Sequence, residues 1–367
     1  MNIRTSSLLA TLALVVAACG GGVSDENTAT SDDQATTTTT EAQLEAPDAQ
    51  FLTYSLEAGT SYEYEVSIDQ SISMSAEGDT TAMGDEEIPG EMSINFTGTT
   101  TFMHSVAEGP EPDTFEITIK GNFTDLEITG TIDGEPIDPT EIPDFAAMEP
   151  IEQTIIVDSQ GRPIADDSEE FGDLFGGLGD LGGLGDLGSL SGSGFEFSHV
   201  GPQFPDEEVG VGDTWTDTIE VPMMGEDPIT TEINSEVTGV EELDGVDVLV
   251  IETQSLTSAF EFDLGEFLIG FFMAFAPEDG EGSADLEALA DELRFLFSID
   301  ETATDFTTWF DAEAGYARRA DYSGGTHLVM DINMPDEESG EMIGFVMDMT
   351  VDQNVSYRLI GAGTPQA

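Results

Sequence analysis

Few residues in this chain could carry out catalysis, and their spacing matches no common catalytic motif. The 367 residues include three histidines, His104, His199 and His327, and a single cysteine, Cys19. No His-x-x-x-His pair occurs, so a zinc site would lack its usual nitrogen and sulfur ligands. Neither a Gly-x-Ser-x-Gly elbow nor a P-loop is present. Carboxylate pairs occur everywhere, so none singles out an acid–base site. We therefore predict no catalytic residues and no cofactor.

Calcium ligands are plentiful, but no segment has the spacing of a helix–loop–helix calcium site. The best candidate is an alternating series, Asp279, Glu281, Ser283, Asp285 and Glu287. Here Ala284 replaces the turn glycine and Ala290 lies where a bidentate glutamate belongs. We therefore predict no metal site and interpret the acidic clusters as solvated loops.

The first 19 residues predict export. An apolar run at Leu8–Val16 follows Arg4 and leads to small residues, which is typical of a secretory signal. The run is too short to span a bilayer of roughly 30 Å. The sequence Val16-Ala17-Ala18-Cys19 resembles the lipobox of bacterial lipoproteins. That resemblance implies cleavage after residue 18, lipidation of Cys19, and a membrane partner at the extracytoplasmic face of the cell membrane.

The composition is strongly acidic, with 77 Asp and Glu against 7 Lys and Arg and a net charge of −70. Such a charge disfavours nucleic acid, because phosphate binding needs clustered Lys and Arg. Hydrophobic residues still form 39% of the chain, enough for a folded core. We interpret the charge as adaptation to salt, with cations acting as diffuse counterions.

The chain divides into segments of contrasting composition. Residues 19–50 predict a disordered Thr, Ser and acid-rich tether. Residues 51–170 form a first β unit, in which Tyr62, Tyr64, Val66 and Ile68 alternate with polar residues. A low-complexity connector of Gly, Leu and Asp covers 171–198. A second β unit covers 199–361, and two short matches to the first unit suggest a duplication.

Residues 263–298 interrupt the β pattern. An apolar run at 267–275 is followed by Leu286, Leu289, Leu293, Leu296 and Phe297 at helical spacing. We predict a helical hairpin inserted into the second unit, which either plugs an open sheet or lines an apolar site. The residues predicted to line such a site are Phe267, Phe271, Phe272 and Phe275.

The most distinctive motif of the second unit is the segment from Phe204 to Trp215, FPDEEVGVGDTW. Together with the lipobox, it resembles a family of uncharacterised bacterial lipoproteins with an F-P-x-x-x-V-x-x-G-D-x-W core. A distant, purely architectural resemblance links the predicted curved sheet and helical plug to half-barrel lipoprotein-sorting and lipid-carrier folds. Neither resemblance implies an activity. The motif itself offers a tight bend and a large core anchor, Trp215.

The sequence thus predicts a mainly β fold of antiparallel curved sheets or a half-barrel. The predicted function is a non-enzymatic, lipid-anchored lipoprotein that binds an apolar small molecule, a lipid or an envelope partner. Two alternatives stay open: a structural surface protein whose acidic coat is its purpose, and a hydrolase with an unrecognised carboxylate site.

Overall fold

The computed structural model describes residues 49–78, 89–138, 151–162, 164, 201–221, 228–263, 294–335 and 342–363. These residues form fifteen strands. In chain order they are β1 Gln50–Phe51, β2 Ser61–Gly78, β3 Glu91–Glu108, β4 Thr114–Ile132, β5 Glu135–Pro136, β6 Ile151–Asp158, β7 Glu208–Val209, β8 Thr214–Val221, β9 Ile229–Leu243, β10 Val246–Thr257, β11 Phe260–Asp263, β12 Arg294–Ile299, β13 Thr302–Asp311, β14 Tyr316–Pro335 and β15 Met342–Gly363.

Alternation of apolar and polar residues produces a sheet with two different faces. In β2, Tyr62, Tyr64 and Val66 are buried, whereas Glu63 and Glu65 between them are exposed. Successive side chains of a strand point to opposite faces, so this period places all the tyrosines on one side. We call the buried side the inner face and the acidic side the outer face. The predicted antiparallel β architecture is confirmed.

One sheet contains thirteen of the described strands. Its main path runs β5-β4-β3-β2-β15-β14-β13-β10-β9-β8, and every pairing is antiparallel. The first half of the long strand β4 pairs with β6. Similarly, the first half of β14 pairs with β13, and the second half of β14 pairs with β12. The two predicted β units therefore share one sheet, joined by the pairing of β2 with β15.

The sheet is strongly curved at one end. Six steps separate β6 from β13, which would be roughly 29 Å in a flat sheet. Nevertheless, Tyr54 N–H donates to Ser159 O after β6 (2.7 Å), and Ser55 N–H donates to Gly315 O after β13 (3.0 Å). Because Tyr54 and Ser55 are adjacent, the two turns lie within roughly 10 Å of each other. We call this the closed end.

The two β units share one strand order. β2, β3, β4 and β6 pair in that sequence, and so do β8, β9, β10 and β13. The two sequence matches are residues 59–62 with 212–215 and residues 157–161 with 310–315. The first match lies at the start of β2 and β8, and the second lies at the end of β6 and β13. The duplication stays a prediction, and this common order supports it.

The predicted helical hairpin is not supported by the described residues. Leu296 and Phe297, for which the spacing predicts a helix, lie in β12, and β12 pairs with β11 and β14. Phe297 and Ile299 alternate on the inner face and complete an apolar cluster there, which a helix at this position would not do. Residues 264–293, which carry the rest of the predicted hairpin, lie outside the described residues.

Candidate functional site

The site residues predicted from the sequence lie outside the part of the chain that the structure describes. They are Cys19 and the four phenylalanines Phe267, Phe271, Phe272 and Phe275. Their roles stay predictions. The candidate site described below is instead built on the inner face of the sheet.

A methionine-rich wall covers the inner face at the end opposite the closed end. Its buried members are Ile72, Met74, Met92, Ile94, Phe96, Ile299, Leu328, Met330, Met349 and Val351. Partly buried hydrophobic side chains continue it outward, among them Phe260, Phe297 and Met347. Methionine is unbranched and polarisable, so a wall rich in it can adapt to apolar partners of different shape.

A polar belt crosses the inner face next to this wall. We define it by the buried residues Gln70, Gln353, Thr326, Thr304 and Ser255, which lie on β2, β15, β14, β13 and β10. On β9 and β10 the neighbouring hydroxyls pair with each other, Thr231 with Thr257 at 3.0 Å and Ser235 with Thr253 at 2.9 Å. In contrast, Thr326 Oγ1 and Gln353 Oε1 are buried and have no hydrogen-bond partner within the described part of the chain.

Aromatic side chains fill the closed end. Phe204, Tyr54 and Phe310 are at most 5% exposed, and their ring centroids lie 4.7 to 5.5 Å apart. Tyr54 Oη donates to Pro202 O (2.8 Å), and Tyr64 Oη donates to Ala317 O (3.0 Å). Burial is the main cause that raises the pKa of both phenols, so they remain neutral donors.

Both ends of the 204–215 motif contribute to the closed end. Phe204 N–H donates to Gln160 O, and the Trp215 indole donates to Gln203 O (both 2.8 Å). Arg162 Nη2 donates to Phe204 O at 3.2 Å. The contacts of the motif are structural.

His327 lies on the outer face between two carboxylates. Its Nδ1 is 2.6 Å from Asp300 Oδ2 and its Nε2 is 3.2 Å from Asp348 Oδ1. The hydrogen bond with Asp300, followed by that with Asp348, raises the pKa of His327 against the opposing effect of partial burial. This arrangement supports a pH-sensitive contact between His327 and the two carboxylates.

A groove of about 350 Å³ opens on the outer face across β2, β15, β14 and β13. Its side chains are short and polar, with Asp69, Asp305 and Asp321 as the carboxylates. Gln254 Nε2 donates to Asp305 (3.1 Å), and Arg319 pairs with Asp321. A cluster of carboxylates that are largely bonded to neighbouring side chains does not by itself define a site.

The described ranges contain neither a cluster of metal ligands nor a helix that could span a membrane. Within them, no group of three or more His, Cys, Asp or Glu is arranged to hold a metal ion. The same ranges contain no helix with the length and apolar character needed to cross a membrane.

The sequence did carry a signal for the polar belt. Gln70 falls in the apolar phase of β2, between Ile68 and Ile72, and Gln353 falls between Val351 and Val355 in β15. A polar residue in the buried phase of a strand predicts a specific hydrogen-bonding role, because burying an unpaired amide is unfavourable. We did not identify either residue from the pattern alone.

Comparison of the sequence with protein-family models and with curated proteins gives no match. Among solved structures, one match to this chain is lipovitellin, in a structure of lipid–protein interactions in that protein. The TM-score is 0.30 with 13% identity over 85% of this chain, which spans only 26% of the lipovitellin chain. A second similarity is to the secretin InvG of the Salmonella SPI-1 type III secretion injectisome in its open gate state. It has a TM-score of 0.13 and 9% identity, and covers 84% of this chain and 62% of that one. Scores this low carry no argument about function.

Proposed function

We propose that this protein is a non-enzymatic, lipid-anchored lipoprotein that binds an apolar ligand on the inner face of its curved sheet. The observation that carries the proposal is the methionine-rich wall, which gathers side chains from β2, β3, β12, β14 and β15 into one apolar surface. These strands are neighbours in the sheet, and the partly buried hydrophobic residues at the edge of the wall give a ligand a place to enter.

Anchoring at Cys19 is the second part of the proposal, and it rests on the lipobox. With acyl chains on Cys19 the folded sheet would stand at the extracytoplasmic surface, at the end of the tether. Two acyl chains give a stable anchor, whereas one gives only weak, reversible binding. Labelling with a radioactive fatty acid in a bacterial host should modify the wild-type chain and leave Cys19→Ala unmodified. Equal labelling of both would overturn this part.

The ligand-binding part is tested with the full chain carrying Cys19→Ala, so that acyl groups of the anchor are not mistaken for bound ligand. The probe is 1-N-phenylnaphthylamine, whose fluorescence rises in apolar surroundings. We expect saturable binding, and we expect organic extraction of the purified protein to release lipid. Absence of saturable probe binding would overturn the ligand-binding part.

Two adjacent residues offer a matched pair of variants. Met347 belongs to the inner-face wall, whereas Val346 points to the outer face and is 40% exposed. Met347→Glu places a charge on the apolar wall and should weaken probe binding at least tenfold. Val346→Glu adds the same charge one residue away and should leave binding unchanged. Circular dichroism of both variants checks that the sheet is retained.

A further inference from the structure

The register of the central strands creates a notch in the polar belt. Gly324 of β14 lies directly opposite Gln353 of β15 on one side and Thr304 of β13 on the other. Glycine has no side chain, so the inner face lacks one between an amide and a hydroxyl. Thr326, two residues further along β14, faces the same side. We call this arrangement the Gly324 notch.

Two buried polar atoms border the Gly324 notch without a hydrogen-bond partner among the described residues. They are Thr326 Oγ1 and Gln353 Oε1, and both residues are 4% exposed. They are diagonal neighbours across the β14–β15 pair, because Gln353 pairs with Gly324 and Val351 pairs with Thr326. Buried polar atoms almost always have partners, so these two adjacent exceptions indicate that a partner is supplied from beyond the described residues.

The chemistry of the partner follows from the surroundings of the notch. The inner-face neighbours in register are Gln70, Ser255, Val351 and Val355, and none is charged. An ionised group buried here would have no counter-charge among these described neighbours, which is strongly unfavourable. A hydroxyl or amide can donate to Gln353 Oε1 and exchange a hydrogen bond with the Thr326 hydroxyl.

We propose that the Gly324 notch binds the uncharged, hydrogen-bonding head group of an amphiphile whose chain lies on the methionine-rich wall. The proposal rests on the proposed function and names its ligand class. The wall begins next to the notch, since Val351 and Leu328 are buried members of it. One amphiphile can therefore contact both surfaces.

The test compares three twelve-carbon competitors for displacement of 1-N-phenylnaphthylamine from the full Cys19→Ala chain. They are 1-monolauroylglycerol with a neutral hydroxylated head group, laurate with a charged one, and dodecane with none. We expect the monoglyceride to compete at roughly tenfold lower concentration than either of the others, which corresponds to about 1.4 kcal/mol. In the double variant Thr326→Val, Gln353→Leu this preference should disappear while probe binding is retained.

Thr257→Val is the matched control. Its hydroxyl is buried on the same face but already pairs with Thr231. Its loss should lower stability and leave the monoglyceride preference intact. If the probe binds but the monoglyceride has no advantage, or the double variant keeps the advantage, the head-group proposal is wrong and the proposed function stands. If the probe does not bind, both fail.

Discussion

Phe204 connects the 204–215 motif to the closed end, and its removal should be among the most destabilising single changes there. The side chain is 1% exposed, and its ring lies 5.1 Å from that of Tyr54 and 4.7 Å from that of Phe310. Truncating a buried phenylalanine to alanine costs about 3–5 kcal/mol, which includes the lost ring contacts. Because Phe204 bonds to Gln160 through its backbone, Phe204→Ala keeps that hydrogen bond. We expect a loss of about 4 kcal/mol.

Urea denaturation followed by far-UV circular dichroism at fixed salt measures this loss. Phe51→Ala is the control, because Phe51 is 62% exposed and carries the same ring. The control should change the free energy of unfolding by no more than about 0.5 kcal/mol. A loss below about 1 kcal/mol for Phe204→Ala, or an equal loss in both variants, would refute the role of the aromatic cluster in closing this end.

Three further predictions concern charge. Arg318→Met should destabilise the fold by about 3 kcal/mol, because it removes the ion pair, 2.7 Å long, of Asp311, which is only 3% exposed. The control Lys120→Met breaks an exposed ion pair and should cost less than about 1 kcal/mol. Equal losses of unfolding free energy in urea titrations would contradict this prediction. Since the folded-state pKa of His327 is raised above 6.5, its stabilising contribution should be complete below that pH and be lost as pH rises through the folded-state pKa. His327→Gln should flatten this part of the stability–pH curve, and an unchanged curve would exclude His327 as its source. The chain has a net charge of −70, so screening by salt should stabilise it. The melting temperature should rise between 0.1 and 1 M NaCl, because the Debye length falls from about 10 to about 3 Å. An unchanged melting temperature in calorimetry would argue against charge repulsion as a limit on stability.

The strands could be predicted from the sequence because each carries its own period-two signal. The alternation along β2 alone shows that Tyr62, Tyr64 and Val66 share one face of the sheet. The helix prediction at Leu296 and Phe297 was wrong because these residues fit two patterns at once. They continue the helical spacing of the preceding leucines, and Phe297 also alternates with Ile299 as in a strand, and so short a segment does not distinguish the two. Pairing with β14 decided the outcome, and the sequence does not show which strand will lie alongside.

The curvature and the Gly324 notch could not be predicted for a related reason. The closed end depends on Tyr54 and Ser55 bonding to turns at Ser159 and Gly315, far away in the chain. The notch depends on Gly324 lying opposite Gln353 rather than one residue away. Both features depend on which residues of distant segments pair with each other. A shift of a strand by a single residue would turn its side chains to the other face of the sheet.

The antiparallel pairing of β2 with β15 has a consequence for how the molecule forms. Ser61 of β2 pairs with Gly363 of β15, and about three hundred residues separate them in the chain. During synthesis, β2 therefore cannot pair with β15 until those residues have been translated. Folds dominated by such distant contacts form slowly. Until then, β2 has an unpaired edge, which can form backbone hydrogen bonds with another chain and so cause aggregation. Charge repulsion between copies of the acidic residues of β2, such as Glu63 and Glu65, would oppose that aggregation.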